Sequence, residues 1–347
     1  MFAQVLDGYG GPDALRYREI DTPEPGPGQV RVRVAFAALN PVEWKIRSGA
    51  LAQMLPQTFP LILGNEMSGV IDQAEPDSGF RVGDRVTGFT RAGSDAEYVL
   101  TTPDRIAKVP DGLTLRQAAT IPQGVETARR SLGMLHIKPG ETVVVNGAAG
   151  SVGSAAVQIL RDMDTTVIGT ARADNHDYLK ALGAVPVEYG QGLIDRLKDL
   201  APDGVDAALD CGAGGFVKQI LQILPVERVV TVSDFEAIAL GVQLANGDPL
   251  ALFADSFQSA LPLAAEGRFA TEIAAEIPLT ELAAAHNMSQ AGHLRGKILV
   301  RVADLDGEHN TPRPSFISTA NGSTSEPASG GPGCAGTTRS PRASSPP

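Results

Sequence analysis

The residues with the clearest chemical potential lie between Glu141 and Met163, in the stretch ETVVVNGAAGSVGSAAVQILRDM. Val143, Val144 and Val145 are a β-branched run of the kind that fills a strand buried on both faces. Gly147, Gly150 and Gly153 follow where the chain must turn tightly. Val152, Ala156, Ile159, Leu160 and Met163 then recur on one face of a helix. Strand, glycine turn and helix in this order make a cradle for a dinucleotide. The glycines let backbone approach a pyrophosphate, and the N–H groups at the helix start face its charge. The usual G-x-G-x-x-G reads here as Ala148-x-Gly150-x-x-Gly153, with the leading glycine moved back to Gly147. A purely structural strand-to-helix turn is the alternative, and the matching flanks on both sides favour binding. The expected cradle contacts are Gly147, Ala149, Gly150, Ser151, Val152 and Gly153.

The elements around this cradle fall into two kinds. From the N-terminus to about Ala107 the chain reads as short strands punctuated by Gly and Pro, such as DTPEPGPGQ from Asp21 to Gln29. Val30, Val32 and Val34 alternate with Arg31 and Arg33, the period of a half-exposed strand, and GFRVGDRVTGF from Gly79 to Phe89 is β-like. This half is expected to be a small β-barrel. Val125 to Ile137 reads as a helix, and beyond Thr165 strands and amphipathic helices alternate, which predicts a doubly wound parallel sheet. Between Gln258 and Val302 the pattern is helix, β segment, helix and a final strand. The stretch 304–347 is dominated by Ser, Thr, Pro, Gly and Ala, so it is expected to be disordered.

Bulk properties narrow the function. At 347 residues the chain is long enough for two domains, and no apolar run reaches membrane-spanning length. The N-terminus lacks a basic region followed by an apolar one, so no secretion signal is expected. Two cysteines, Cys211 and Cys334, cannot build a disulfide framework, which suits reducing, cytoplasmic surroundings. A net charge of −11 with no basic patch argues against nucleic acid and anionic membranes as partners.

Several further motifs stand in register: AALNPVEWKIRSG, LILGNEMSGVI, FRVGDRVTGF, AEYV, VNGAAGSVGSAAVQIL and GHLRGKILV. Together, over residues 1 to about 303, they resemble the medium-chain dehydrogenase/reductase superfamily, and within it the zinc-independent quinone oxidoreductase and enoyl reductase branch. The resemblance implies an α/β chain with a GroES-like β-barrel catalytic domain and a doubly wound parallel (Rossmann) cofactor domain. The catalytic domain would comprise 1–123 and 258–303, with the NADPH-binding domain at 124–257 inserted between them. It also implies a homodimer paired through the edge of the cofactor sheet. Zinc-dependent relatives place a cysteine where Asn40 stands and a histidine where Asn65 stands. No Cys or His precedes His136, and a zinc site needs several such ligands converging, so no metal is expected. Glu66 is then read as a carboxylate paired with a structural cation.

NAD-specific sheets carry Asp or Glu at the tip of the second strand, where it accepts from the ribose 2′-hydroxyl. Here the tip reads Gly169-Thr170-Ala171-Arg172, offering a hydroxyl and a guanidinium to a 2′-phosphate, although Asp174 stands close by. In the resembled branch a tyrosine at the end of the third strand helps hold that phosphate, and Tyr189 occupies its place. NADPH is therefore favoured. Cys211 closes another strand of the sheet and is read as a small cofactor-side residue rather than a nucleophile. Around the nicotinamide the resemblance implies Asn40, a catalytic candidate as an uncharged donor facing the cleft and suited to fixing the carboxamide or the substrate carbonyl, with Thr127 at the start of a helix, Ser233 at a strand end, and Lys297. Lys297 is either a cofactor contact or a solvated charge. Trp44 either lines the substrate cleft or packs in the core, and His286 and His293 are expected at the surface.

This set suits hydride delivery to an acceptor that delocalises negative charge without a Lewis acid, which describes quinones and α,β-unsaturated carbonyls. Some enoyl reductases of the superfamily carry a tyrosine proton donor between the positions matching Asn40 and Gly64, and none stands there. Lys45 or water is left as the proton source. The leading reading is an NADPH-dependent quinone or enone reductase. The alternatives are a tailoring enoyl or ketoreductase of secondary metabolism, and a cofactor-bound structural or redox-sensing protein with little turnover.

Overall fold

The computed structural model describes residues 1–91, 93–245 and 251–305. The expected disordered tail, with Cys334, lies outside them except for its first two residues, and one of these, Leu305, packs against the core.

The alternating valines form the spine of the first half. Val30, Val32 and Val34 are fully buried in the strand Val30–Leu39, while Arg31 and Arg33 point outward. That strand sits inside a seven-stranded sheet in the order Ile273–Pro278, Lys297–Arg301, Val30–Leu39, Glu66–Gln73, Arg85–Phe89, Ile106–Lys108, with Tyr98–Thr101 also paired to it. Antiparallel pairs dominate, and only the two C-terminal strands run parallel to each other. A three-stranded sheet of Leu15–Glu19, Phe2–Leu6 and Leu61–Ile62 stands beside it. Only half of the β-like stretch from Gly79 is strand. It begins at Arg85 because the Asp84 carboxylate accepts from Arg81 N at 2.9 Å and closes a turn first.

The second half is a six-stranded sheet in the order Val185–Val187, Thr166–Thr170, Thr142–Asn146, Ala207–Asp210, Val229–Thr231, Gln243–Leu244, parallel throughout. Val143, Val144 and Val145 are fully buried, as expected of a central strand covered on both faces. Strand order reverses between Thr142–Asn146 and Ala207–Asp210, and such a switch point opens a crevice at the carboxyl ends of the strands. The helix Ser151–Arg161 starts at that crevice. The helix Pro122–Leu135 packs against it closely enough that a Cβ on Gly124 would lie 2.9 Å from Ser151 Oγ. Among the described residues, no helix is long and apolar enough to cross a membrane.

Candidate active site

The glycine turn has the backbone its residue types allow. Gly147 takes φ +70°, a left-handed conformation open to glycine, and a Cβ there would press to 3.1 Å from the backbone of Cys211 and Gly212. A Cβ on Gly153 would stand 2.3 Å from Gly147 O, so only glycine lets the helix close onto the turn. Gly150 caps the helix Ser151–Arg161 without a side-chain bond of its own. Free N–H groups at the helix start, backbone room and the switch point together fit a dinucleotide pyrophosphate. The loop is also held from outside, since Gly296 N donates to Ala149 O at 2.9 Å from the segment that enters the final strand.

One cleft of about 580 Å³ joins this cradle to the first sheet. Gly147, Ala149, Gly150, Ser151, Val152, Gly153, Arg172, Tyr189, Cys211 and Ser233 line its cofactor-sheet side, and Asn40, Lys45 and Lys297 its other side. Trp44 also lines it, so the only tryptophan is a cleft wall rather than a core residue. The Lys45 ammonium lies 5.8 Å from the Trp44 ring centroid and 5.2 Å from that of Phe235. Burial lowers the Lys45 pKa, making the ammonium a stronger acid than on the surface.

Several expected residues stand elsewhere or are committed to other work. Thr127 lies in the second turn of Pro122–Leu135 rather than at its start, is not a cleft residue, and exchanges hydrogen bonds with Gln123 and Glu126. Ala171 is buried beneath the cleft, its N–H given to Val187 O. Thr170 lines the cleft, but its hydroxyl points inward, donating to Asn146 Oδ1 at 2.5 Å and accepting from Gly147 N. Arg172 reaches the cleft with Asp174 beside it, 3.3 Å from its guanidinium. Burial first, and the neighbouring Asp210 second, push the Cys211 thiol well above its ordinary range, which leaves it uncharged.

Lys297 is neither a simple cofactor contact nor a solvated charge. It is 3% exposed, pairs with Glu66 Oε2 at 2.5 Å and donates to Asn40 Oδ1 at 2.6 Å. Glu66 is thus the carboxylate of a buried ion pair, completed by Gln123 N on its other oxygen at 2.7 Å. The Asn40 amide nitrogen is spent on Ala38 O, Glu66 and Asn65, which leaves it a brace of the cleft floor rather than a spare donor. His286, expected at the surface, is fully buried and accepts from Arg47 Nε at 3.2 Å, whereas His293 is exposed and lines the cleft. Asn146 and Asp210, not singled out beforehand, tie the strand ends together. Asn146 Nδ2 donates to Asp210 Oδ1 at 2.7 Å, and Thr231 Oγ1 donates to Asp210 Oδ2 at 2.8 Å. Their place just before the cradle glycine and before Cys211 is the signal that could have found them.

A mostly antiparallel β half and a doubly wound half meeting over a glycine cradle make a dinucleotide-binding architecture. Residues 26–111 match the alcohol dehydrogenase GroES-like domain, and residues 182–300 match the zinc-binding dehydrogenase family. The quinone oxidoreductase of Coxiella burnetii has a similar structure, with TM-score 0.76 and 30% identity, over 87% of this chain and 99% of that one. A mycobacterial protein solved with NADPH aligns at TM-score 0.75 and 25% identity, over 87% of this chain and 100% of that one. The human synaptic vesicle membrane protein VAT-1 homolog is 35% identical over 235 residues, 65% of this chain and 59% of its own length. The chain spans between half and two thirds of the length of such curated relatives. It belongs to the medium-chain dehydrogenase/reductase superfamily, in its quinone oxidoreductase branch.

Proposed function

We propose that the chain is an NADPH-dependent reductase that delivers hydride to a quinone or an α,β-unsaturated carbonyl without zinc. The observation that carries this reading is the single cleft in which the glycine cradle, the Arg172/Tyr189 end and the Trp44/Lys45 end are continuous. Gly147, Gly150 and Gly153 would hold the pyrophosphate, and Arg172 with Tyr189 the 2′-phosphate. Bound there, the reduced nicotinamide supplies the hydride. Leu39, Trp44, Leu294 and Ile298 give the opposite wall an apolar surface suited to a planar conjugated acceptor. Charge developing on the acceptor oxygen meets the Lys45 ammonium, whose lowered pKa also suits it to give up the proton. The Lys297–Glu66 pair and Asn40 hold the floor rigid beneath. The same reading keeps 1–123 with 258–303 as the catalytic domain and 124–257 as the cofactor domain. It also keeps a cytoplasmic homodimer, with exposed Ile238 and Leu240 beside the edge strand Gln243–Leu244 as the apolar contact.

Fluorescence titration with NADPH and NADH, followed by oxidation with 1,4-benzoquinone and with an enone, tests the assignment. The expected result is tight NADPH binding, weak NADH binding and acceptor-dependent turnover. Arg172→Ala should weaken NADPH about tenfold, the loss of one charge-assisted contact, and leave NADH unchanged. Equal binding of the two cofactors would reject the phosphate assignment. Tight binding with no turnover on a broad acceptor panel would favour a redox-sensing role instead.

A further inference from the structure

A second polar cluster lies behind the cleft floor. Glu43 on the helix Pro41–Arg47, Asp95 ahead of the strand Tyr98–Thr101, and His286 on the helix Leu282–Ala291 each bring one ligand-type atom within 4.8 Å of the others. Their exposures are 3%, 1% and 0%. Glu43 Oε2, Asp95 Oδ2 and His286 Nε2 are all buried without a hydrogen-bond partner. Unsatisfied buried polar atoms are costly, so three in one place call for a shared occupant.

The donor types would suit a divalent cation, but the far side of the imidazole argues otherwise. Arg47 Nε points at His286 Nδ1, and a guanidinium only donates. Nδ1 therefore carries the lone pair, and a neutral ring must bear its proton on Nε2, facing the two carboxyls. A protonated nitrogen does not ligate a metal. An imidazolium is also excluded, because burial and then Arg47 depress the His286 pKa to about 3. The remaining charged neighbours do not neutralise the carboxyls. Lys297 is committed to Glu66, and Arg47, which Asp13 faces from outside, reaches the cluster only through the imidazole. Two buried carboxyls thus face each other and one neutral N–H donor, and both cannot stay ionised there.

We infer that Glu43 and Asp95 share one proton, with His286 Nε2–H completing the set, and that this triad is a positioning device for the cleft. Glu43 Oε1 accepts from Asn40 N at 2.9 Å, and the same helix carries Trp44 and Lys45, so holding Glu43 sets that wall. Loss of the proton leaves two buried anions, whose repulsion displaces the start of the helix. Burial places the Asp95 carboxyl at about 7, and burial and then the Asp95 charge raise Glu43 well above its ordinary value, so the pair passes from two protons to the shared one near neutral pH and gives up the shared proton only above it. The catalytic consequence rests on the function proposed above; the shared proton does not.

Trp44, adjacent to Glu43, reports on it without cofactor or substrate. Its fluorescence in the full-length chain, scanned upward through neutral pH, should show a first transition with a midpoint near 7 and a second above it. The transition near 7 should vanish in Asp95→Asn, which keeps the shape of the protonated acid, while Glu43→Gln, an independent second variant, should keep it and lose the step above it. Thermal stability of Asp95→Asn should match the wild type at acidic pH and exceed it at alkaline pH. A neutral transition that persists in Asp95→Asn, a higher step that persists in Glu43→Gln, or parallel stability profiles would overturn the inference. So would stoichiometric Zn²⁺ binding by calorimetry that is lost in His286→Gln, since the occupant would then be a metal. Failure here leaves the cofactor titrations intact, and failure there leaves these intact.

Discussion

Lys297 meets the cleft floor already engaged by Glu66 and Asn40, both buried with it. Removing one partner of such a pair strands a charge in a low-dielectric interior. Lys297→Met should therefore cost about 3–5 kcal/mol of stability in urea denaturation without any cofactor. A residue that only touched the nucleotide would leave that curve unchanged. The role was not legible in the sequence because Lys297 and Asn40 are 257 positions apart, and neither residue type announces a partner at that distance. The cradle glycines were legible, because their spacing encodes a backbone turn that other residues cannot make. His286 lay between these cases. Leu282, Ala285 and His286 are all buried at helical spacing, so the face it shares could have marked it as interior.

At the level of elements, the helix Ser151–Arg161 depends on its approach to the preceding turn. Gly153→Ala would drive a methyl into Gly147 O, which is backbone and cannot rotate away. It should lower stability by about 1–3 kcal/mol and abolish NADPH binding, read by thermal denaturation and cofactor titration together. Period-2 valines and alternating strand–helix segments made most elements legible, since local periodicity is what they display. Boundaries were less so. The strand at Arg85 starts late because a side chain closes a turn ahead of it, and Pro122–Leu135 starts early, which shifted Thr127 from helix start to interior. The pairing of Lys297–Arg301 with Val30–Leu39 leaves no periodic trace at all, and the resemblance implied only that the two segments share a domain.

Over the whole molecule, the cradle loop and the final strand are tied by Gly296 N to Ala149 O. A cofactor lying across both halves should stabilise them as one unit. NADPH at a hundred times its dissociation constant is expected to add about 2.7 kcal/mol and to move a single thermal transition upward. Two transitions, of which only one moves, would show that the halves unfold separately. The same connectivity bears on how the chain is made. Every strand of the parallel sheet has been synthesised by Leu244, yet Val30–Leu39, already paired with Glu66–Gln73 and Tyr98–Thr101, receives its last neighbour only when Arg301 leaves the ribosome. Until then the nascent barrel carries an open strand edge, and Glu66 waits for the counter-charge that Lys297 brings. The first half to be translated is thus the last to finish folding, and during synthesis it is the part most in need of a chaperone.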